Sequence, residues 1–350
     1  MAERDKKITE LKELGEFQLI EALTKDVQLY HKSTIKGIGD DAAVIDAGNK
    51  ALVMTTDMLM EGIHFNLIYT PLKHLGYKAA VVNFSDIYAM NAKPKQMVVS
   101  MAVSGKFTYE ALKELYAGIK LACDTYEVDL VGGDTTSSIT GMALSITVIG
   151  ETAKEKVAYR NGAKVNDLIC VSGDLGAAYL GLQILEREKK LFEQHKGFQP
   201  KLDGYDYVLK RQLKPEARKD IINFLEEQKI VPTSMIDISD GLSSELLHIC
   251  SQSVTGCKIF QNKVPVEERA EAVANEINLE PLVCALNGGE DYELLFTVPL
   301  ETYKEIAANK EISIIGHITD KTEGRYMITE SDTAIELRAQ GWNAYDGESN

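Results

Sequence analysis

Four stretches of the 350-residue sequence set aspartates beside glycines or hydroxyl residues: Gly37-Ile38-Gly39-Asp40-Asp41-Ala42-Ala43-Val44, Thr55-Thr56-Asp57, Val131-Gly132-Gly133-Asp134-Thr135-Thr136 and Asp237-Ile238-Ser239-Asp240-Gly241. Carboxylates, threonine hydroxyls and the backbone of glycine turns are the oxygen donors that hard divalent cations such as magnesium take, alongside waters and substrate phosphates. Each stretch taken alone has an ordinary reading as a turn or a helix cap. Four together point to one shared cation and phosphate site, because so many carboxylates gathered without cations would repel strongly. Asp86 adds a further carboxylate inside a largely apolar helical pattern, where it is either a cap partner or a ligand aimed into a site.

Other chemistries lack their residues. There is no H-E-x-x-H, and His64 and His74 stand ten residues apart, so zinc hydrolysis is disfavoured. A G-x-S-x-G elbow, the P-loop pattern G-x-x-x-x-G-K-[ST] and the protein-kinase set are all missing; Gly105-Lys106 runs into Phe107 without the earlier glycine. If ATP binds, cations carried by aspartates must neutralise most of its triphosphate. That is coherent with phosphoryl transfer, which depends on positioning and charge neutralisation.

The elements that must position these residues follow from hydrophobic spacing. Residues 8–30 carry apolar positions at helical spacing with Gly15 as a break, an amphipathic lead-in. Ala51 to Thr56 reads as a buried strand that delivers Asp57 to its end, the place where α/β proteins put ligands. Leu75 to Met90 predicts the helix that carries Asp86. Residues 95–103 predict a strand, 107–126 a helix, Asp129 a short run into Gly132-Gly133-Asp134, and 142–150 a closing strand rich in Ile, Val and Thr. This alternation over 35–150 indicates an α/β unit.

A boundary falls near 150–165, with Arg160 to Ala163 as a turn. Beyond it, 167–173 predicts a strand, a helix starts at Gly176, and 186–214 reads as a charged surface excursion without chemistry. Helical spacing returns at 215–228. A strand from Met235 ends in Asp237 and Asp240, a helix follows over 242–250, and Cys284 to Val298 repeats the theme as a Gly-Gly turn, acids and a strand. No short-period repeat is present.

Length suggests two domains, expected over 1–150 and 151–350. With 45% hydrophobic and 26% charged residues, the composition is that of a globular protein. Acidic residues outnumber basic ones by 53 to 38, for a formal charge of -15, which argues against a nucleic-acid partner. No apolar run approaches the ~18 residues of a membrane span, and the charged amino terminus lacks the apolar core of a signal peptide, so a cytoplasmic protein is expected. Five cysteines without a C-x-x-C pair read as buried free thiols.

The motifs also carry a resemblance. Gly37 to Ala43, Thr55-Thr-Asp-Met-Leu-Met-Glu-Gly-Ile-His-Phe65, Val82-Asn-Phe-Ser-Asp86 through Pro94, Val131 to Thr136, Ile236 to Leu242 and Gly288-Gly-Glu-Asp-Tyr-Glu-Leu294 resemble, in order and over nearly the whole chain, the thiamine-monophosphate kinase family. The resemblance implies the two-domain α/β (α+β) fold of the aminoimidazole ribonucleotide synthetase-like superfamily, with the amino-terminal α/β domains pairing in a homodimer and a carboxy-terminal α/β domain completing the site. It implies transfer of a phosphoryl group from ATP to thiamine monophosphate, giving thiamine diphosphate, with several Mg2+ ions. Carried over motif by motif, the implied magnesium ligands are Asp41, Thr55, Thr56, Asp57, Asp86, Asp134, Asp237 and Asp240. The implied nucleotide contacts are Gly133, Asp134, Arg160 and Ser239, with Tyr116 as a further candidate, and the implied thiamine monophosphate contacts are His64, Glu290 and Trp342. Asp40 is left to fix the turn or to stand behind Asp41.

The acceptor phosphate has a second pKa near 6 and is largely dianionic at neutral pH, so no general base is expected and transfer should be direct and in line. Two other readings stand beside this one. One is another ATP-dependent enzyme of the same superfamily, aminoimidazole ribonucleotide synthetase-like; the other is a non-catalytic cation or nucleotide sensor using the same acids.

Overall fold

The computed structural model describes residues 20, 21, 24, 30–195 and 199–340. The lead-in over 8–30 falls almost wholly outside the described residues, and Trp342 lies outside them.

Two mixed sheets organise the chain. The first is built from β1 (Thr34–Lys36), β2 (Ala43–Ala47), β3 (Lys50–Met60), β4 (Lys93–Ser104), β5 (Asp129–Ser138) and β6 (Met142–Ala153), in the order β1-β2-β3-β6-β4-β5. Only β4 and β5 run parallel in it. The second takes β7 (Leu168–Ser172), β8 (Ser234–Asp237), β9 (Gly256–Phe260), β10 (Leu294–Val298), β11 (Ile312–Thr319), β12 (Arg325–Ile328) and β13 (Ala334–Glu336), in the order β13-β12-β9-β11-β7-β10-β8. Asp237 ends β8, but β3 continues three residues past Asp57, so that carboxylate stands within the strand and not at its end.

Alternation along β3 decides which residues reach the interior. Ala51, Val53, Thr55 and Leu59 are buried, while Met54, Met58 and Met60 on the other face are exposed. The buried face is covered by α1 (Leu72–Ala89), which is apolar or small on nearly every side and therefore buried all round. α1 crosses α2 (Tyr109–Tyr126) at glycine contacts: a Cβ on Gly76 would lie 2.0 Å from the Leu115 carbonyl oxygen, and one on Gly118 would lie 1.8 Å from that of Lys73. Thr108 caps α2 by accepting the Ala111 N–H at 3.2 Å.

One hydrophobic core joins the two sheets, since Val53, Ile87 and Leu144 of the first half pack in the same cluster as Leu168, Cys170, Met235 and Phe296 of the second. The opposite face of the second sheet, with Ile169, Val171, Ile236 and Leu295, packs on Leu246 and Ile249 of α6 (Leu242–Ser253). All five cysteines are free and buried.

The segment 186–214 is a surface excursion only in its middle, where most of the described residues over 192–206 are exposed; its two ends are helices packed into the fold. α3 (Ala177–Gln194) and α4 (Asp206–Leu213) pack with α7 (Glu268–Glu276) around Leu180, Ile184, Val208 and Ala274, and charged residues in this region pair inside the fold. Glu188 and Gln212 are buried. Charge density concealed the apolar stripe of a helix whose polar residues also have buried partners. Two further helices, α5 (Lys219–Glu227) and α8 (Pro281–Asn287), flank this region, and α9 (Tyr303–Ala307) precedes β11.

Candidate active site

Asp41, Asp86 and Asp237 converge, with one carboxylate oxygen of each within 4.8 Å of the others. They arrive from a turn before β2, from the last turns of α1 and from the end of β8. The Thr55 hydroxyl donates to Asp86 Oδ2 at 2.6 Å, and the Ser85 hydroxyl donates to Asp237 Oδ2 at 2.6 Å. Arg160 grips Asp41 in a two-pronged ion pair, Nε to Oδ2 at 3.2 Å and a terminal nitrogen to Oδ1 at 2.7 Å. Asp40 behaves differently: it accepts the backbone N–H groups of Asp41 and Arg160, each at 3.2 Å, and pairs with Lys36, so it fixes the turn.

The electrostatics record the crowding. Burial, then Asp57, Asp237 and Asp41, push the Asp86 carboxyl well above its ordinary range. Burial and the Asp41 charge push Asp237 up to about 7, against the pull of Ser85 and Arg160. Asp57 belongs to the same field, since its charge raises both. The donors are all oxygens and bear more negative charge than Arg160 offsets, which is the donor set a hard divalent cation such as magnesium fits.

Other expected ligands lie elsewhere. Thr56 points to the far side of the sheet from Thr55, where its hydroxyl donates to the Ile146 carbonyl at 3.1 Å and accepts from Thr147 at 3.0 Å. Pairing sets Asp57 beside Ile146, Ile146 beside Val99, and Val99 beside Gly133. Gly133 is thus three strand spacings from Asp57, about 14 Å. Asp134, one residue on, pairs with Ser100 and is exposed on the edge strand β5. Gly133 has its own reason to be glycine, because a Cβ there would stand 1.9 Å from the Val99 carbonyl oxygen. A single chain therefore does not bring Thr56, Gly133 and Asp134 to the buried carboxylates. Tyr116 is half-buried on α2 and packs on the main core.

The second half contributes two abutting loops. Ser239 is exposed, and its carbonyl accepts from Glu290 N at 2.6 Å; the Ile238 carbonyl accepts from Tyr292 N at 2.8 Å. Glu290 and Tyr292 take φ of 58° and 53°, left-handed backbone that a non-glycine residue adopts only when its surroundings hold it there. Asp240 donates its N–H to the buried Glu245 at 3.0 Å. His64 sits in the turn after β3, its Nδ1 accepting the Met60 N–H at 3.0 Å.

Several residues at the site were not singled out from sequence. Ser85 precedes Asp86 and needed the fold to meet Asp237. Lys78 and Gln212 bind the Glu290 carboxylate, and Glu245 stands behind Asp240. Lys78 could have been suspected as a lysine within the same apolar helical pattern as Asp86, a little over two turns before it.

Residues 39–152 match the family described as AIR synthase related protein, N-terminal domain. The chain is 32% identical to thiamine-monophosphate kinase of Bacillus subtilis (strain 168), over 95% of this chain and 100% of the relative. It is 36% identical to thiamine-monophosphate kinase of Aquifex aeolicus (strain VF5), over 96% and 99%. Among solved structures, AaThiL complexed with AMPPCP and TMP is 31% identical, with a TM-score of 0.81 over 96% of this chain and 99% of that one. Hydrogenase maturation protein HypE in complex with ATP, at 20% identity and a TM-score of 0.67 over 92% and 95%, shares the fold.

Proposed function

The chain belongs to the thiamine-monophosphate kinase family, and on that premise we infer how its own residues carry out the transfer of a phosphoryl group from ATP to thiamine monophosphate. The observation that carries the reading is the convergence of Asp41, Asp86 and Asp237, with Asp57 in their field, on a site of oxygen donors alone. These four aspartates, with Thr55, would hold Mg2+, which when bound supplies the positive charge that offsets the repulsion between two polyanionic substrates.

The protein's own part is positioning. Thr55 and Ser85 orient the Asp86 and Asp237 carboxylates by hydrogen bonds, and Arg160 fixes Asp41. Glu290, in its strained loop, is read as a contact to thiamine monophosphate, together with His64 and Trp342. The acceptor phosphate needs no general base, because it is largely dianionic at neutral pH. Transfer is then direct and in line, with no phosphorylated side chain on the path.

Thr56, Gly133 and Asp134 enter the reading through a homodimer. The open face and edge of the first sheet carry exposed Met54, Met58, Met60, Val131 and Ile149, an apolar patch that supports pairing of two copies there. Gly133, Asp134, Arg160, Ser239 and Tyr116 remain the proposed nucleotide contacts, Asp134 and Asp240 further proposed cation ligands, and the boundary near 150–165 the proposed division into two domains. Among the described residues no helix is long and apolar enough to cross a membrane, and the reading includes a cytoplasmic location.

Incubating the protein with ATP, Mg2+ and thiamine monophosphate should yield ADP and thiamine diphosphate in equal amounts. Binding of both ligands without product would favour a sensor instead. A phosphorylated Asp or His trapped during turnover would overturn direct transfer.

A further inference from the structure

Glu290 is not positioned by its own loop alone. Lys78 Nζ, on α1, stands 2.9 Å from one carboxylate oxygen, and Gln212 Nε2, on α4, donates to the other at 2.6 Å. Lys78 Nζ also donates to the main-chain carbonyl of Gln212 at 3.1 Å, so the ammonium ties the Glu290 carboxylate to the backbone of α4. Lys78 and Gln212 are each 5% exposed, whereas the Glu290 side chain keeps 31% of its surface. The carboxylate is therefore held from behind and open in front.

A buried ammonium is costly unless it is paired, and Lys78 has both the Glu290 carboxylate and the Gln212 main-chain carbonyl; the Gln212 amide gives its N–H to Glu290, while its Oε1 has no hydrogen-bond partner among the described residues. The amide orientation follows from chemistry: turned the other way, its carbonyl oxygen would face a carboxylate. The place of this set along α1 matters as much. Eight helical positions separate Lys78 from Asp86, a little over two turns, which puts the side chains about 80° apart around the axis and about 12 Å apart along it. The helix thus carries Asp86 of the carboxylate cluster near its C-terminal end and the anchor of Glu290 in its second turn. Thiamine monophosphate has the matching polarity, with its phosphate at one end and, at the other, a heterocycle whose exocyclic amine is a donor suited to a carboxylate.

We propose that Lys78 and Gln212 are positioning residues for thiamine monophosphate: together they fix the Glu290 carboxylate at a set distance from the Asp41, Asp86 and Asp237 cluster, and so determine affinity for the non-phosphate end of the substrate. The proposal rests on the reading of Glu290 as a substrate contact. Acting through Glu290, the pair should affect binding of one substrate and leave the chemical step and ATP alone.

Steady-state kinetics of Lys78→Met, Lys78→Arg, Gln212→Leu, Glu290→Gln and the double variant Lys78→Met/Glu290→Gln test it, with thiamine monophosphate and ATP varied separately. Lys78→Met and Gln212→Leu should each raise KM for thiamine monophosphate by about tenfold or more, with kcat changed less than about threefold and KM for ATP unchanged. Lys78→Arg should recover most of the loss, and the double variant should be no worse than Glu290→Gln, because Lys78 then has no carboxylate to position. If Lys78→Met does not fold, Gln212→Leu and Lys78→Arg decide alone. A raised KM in Glu290→Gln with an unchanged KM in the Lys78 and Gln212 variants overturns the clamp and leaves the Glu290 contact standing. A fall in kcat with KM for thiamine monophosphate unchanged, an equal rise of KM for both substrates, or additive effects in the double variant also overturns it. An unchanged KM in Glu290→Gln removes the substrate contact, and the clamp with it.

Discussion

Asp237 ends β8 and Glu293 immediately precedes the neighbouring strand β10, the Ile238 N–H donating to the Glu293 carbonyl at 2.7 Å, yet the two carboxylates meet different surroundings. Glu293 is fully buried and takes Arg211 at 2.8 Å, Arg218 at 2.8 Å and the Ser172 hydroxyl. Asp237 is also buried, but it meets Ser85 and the neighbouring acids Asp41, Asp57 and Asp86. The first charge is neutralised by the chain itself. The second group keeps a surplus of negative charge that a cation from solution can meet. A buried acid with its own arginines reads as structure, and buried acids sharing too little positive charge read as a binding site.

Removing a carboxylate from the second group should separate function from stability most sharply. Asp86→Asn should lower kcat roughly 10²-fold or more, by analogy with the loss of one preorganised charge-stabilising group. Its melting temperature without divalent cation should stay equal or rise, since a repelling charge has gone. A parallel fall in both, measured by turnover and thermal melts, would dissolve the distinction between the two regions.

The opposite pattern is expected at Glu293. Glu293→Gln takes the buried countercharge from Arg218 and the nearer of two from Arg211, which keeps Asp291 at 3.8 Å, and should cost about 3–5 kcal/mol of stability in denaturant unfolding. The KM of the folded fraction for ATP should hardly move.

A smaller effect sharpens the comparison through pH. Asp237 has a folded pKa of about 7, raised from 3.8. Between those values the folded chain keeps a proton that the unfolded chain has lost, so this group's contribution is fully present below 3.8 and is lost as pH rises through about 7. With chelator present, the melting temperature should therefore decline from pH 5 to pH 8 more in the wild type than in Asp237→Asn. Saturating Mg2+ should flatten that decline, whereas an identical slope in both proteins would show that the carboxylate is not desolvated.

Much of the site was legible because its residues stand in local motifs. Glycine and acid turns before strands, and an aspartate on an apolar helix, announce themselves at short range, and the strand into Asp57 and the helix carrying Asp86 follow from hydrophobic period alone. Thr56 could not be separated from Thr55 by motif, although strand alternation already puts neighbouring side chains on opposite faces. In 186–214 charge correctly suggested solvent for the middle of the segment but hid the packed helices at its two ends. In α4 the Arg211 charge instead serves Glu293 and the Gln212 amide serves Glu290, a use that appears only when distant loops arrive.

The amino-acid sequence by itself determined the family, the residue types of the site and most of the elements that present them, because each depends on neighbours a few positions away. The tertiary structure alone decided that Asp41, Asp86 and Asp237 share one space, that Gly133 and Asp134 stand three strands from Asp57, and that Lys78 and Gln212 hold Glu290. Those outcomes depend on strand order, sheet face and the crossing of α1 beneath both sheets, long-range pairings that local chemical preference does not encode.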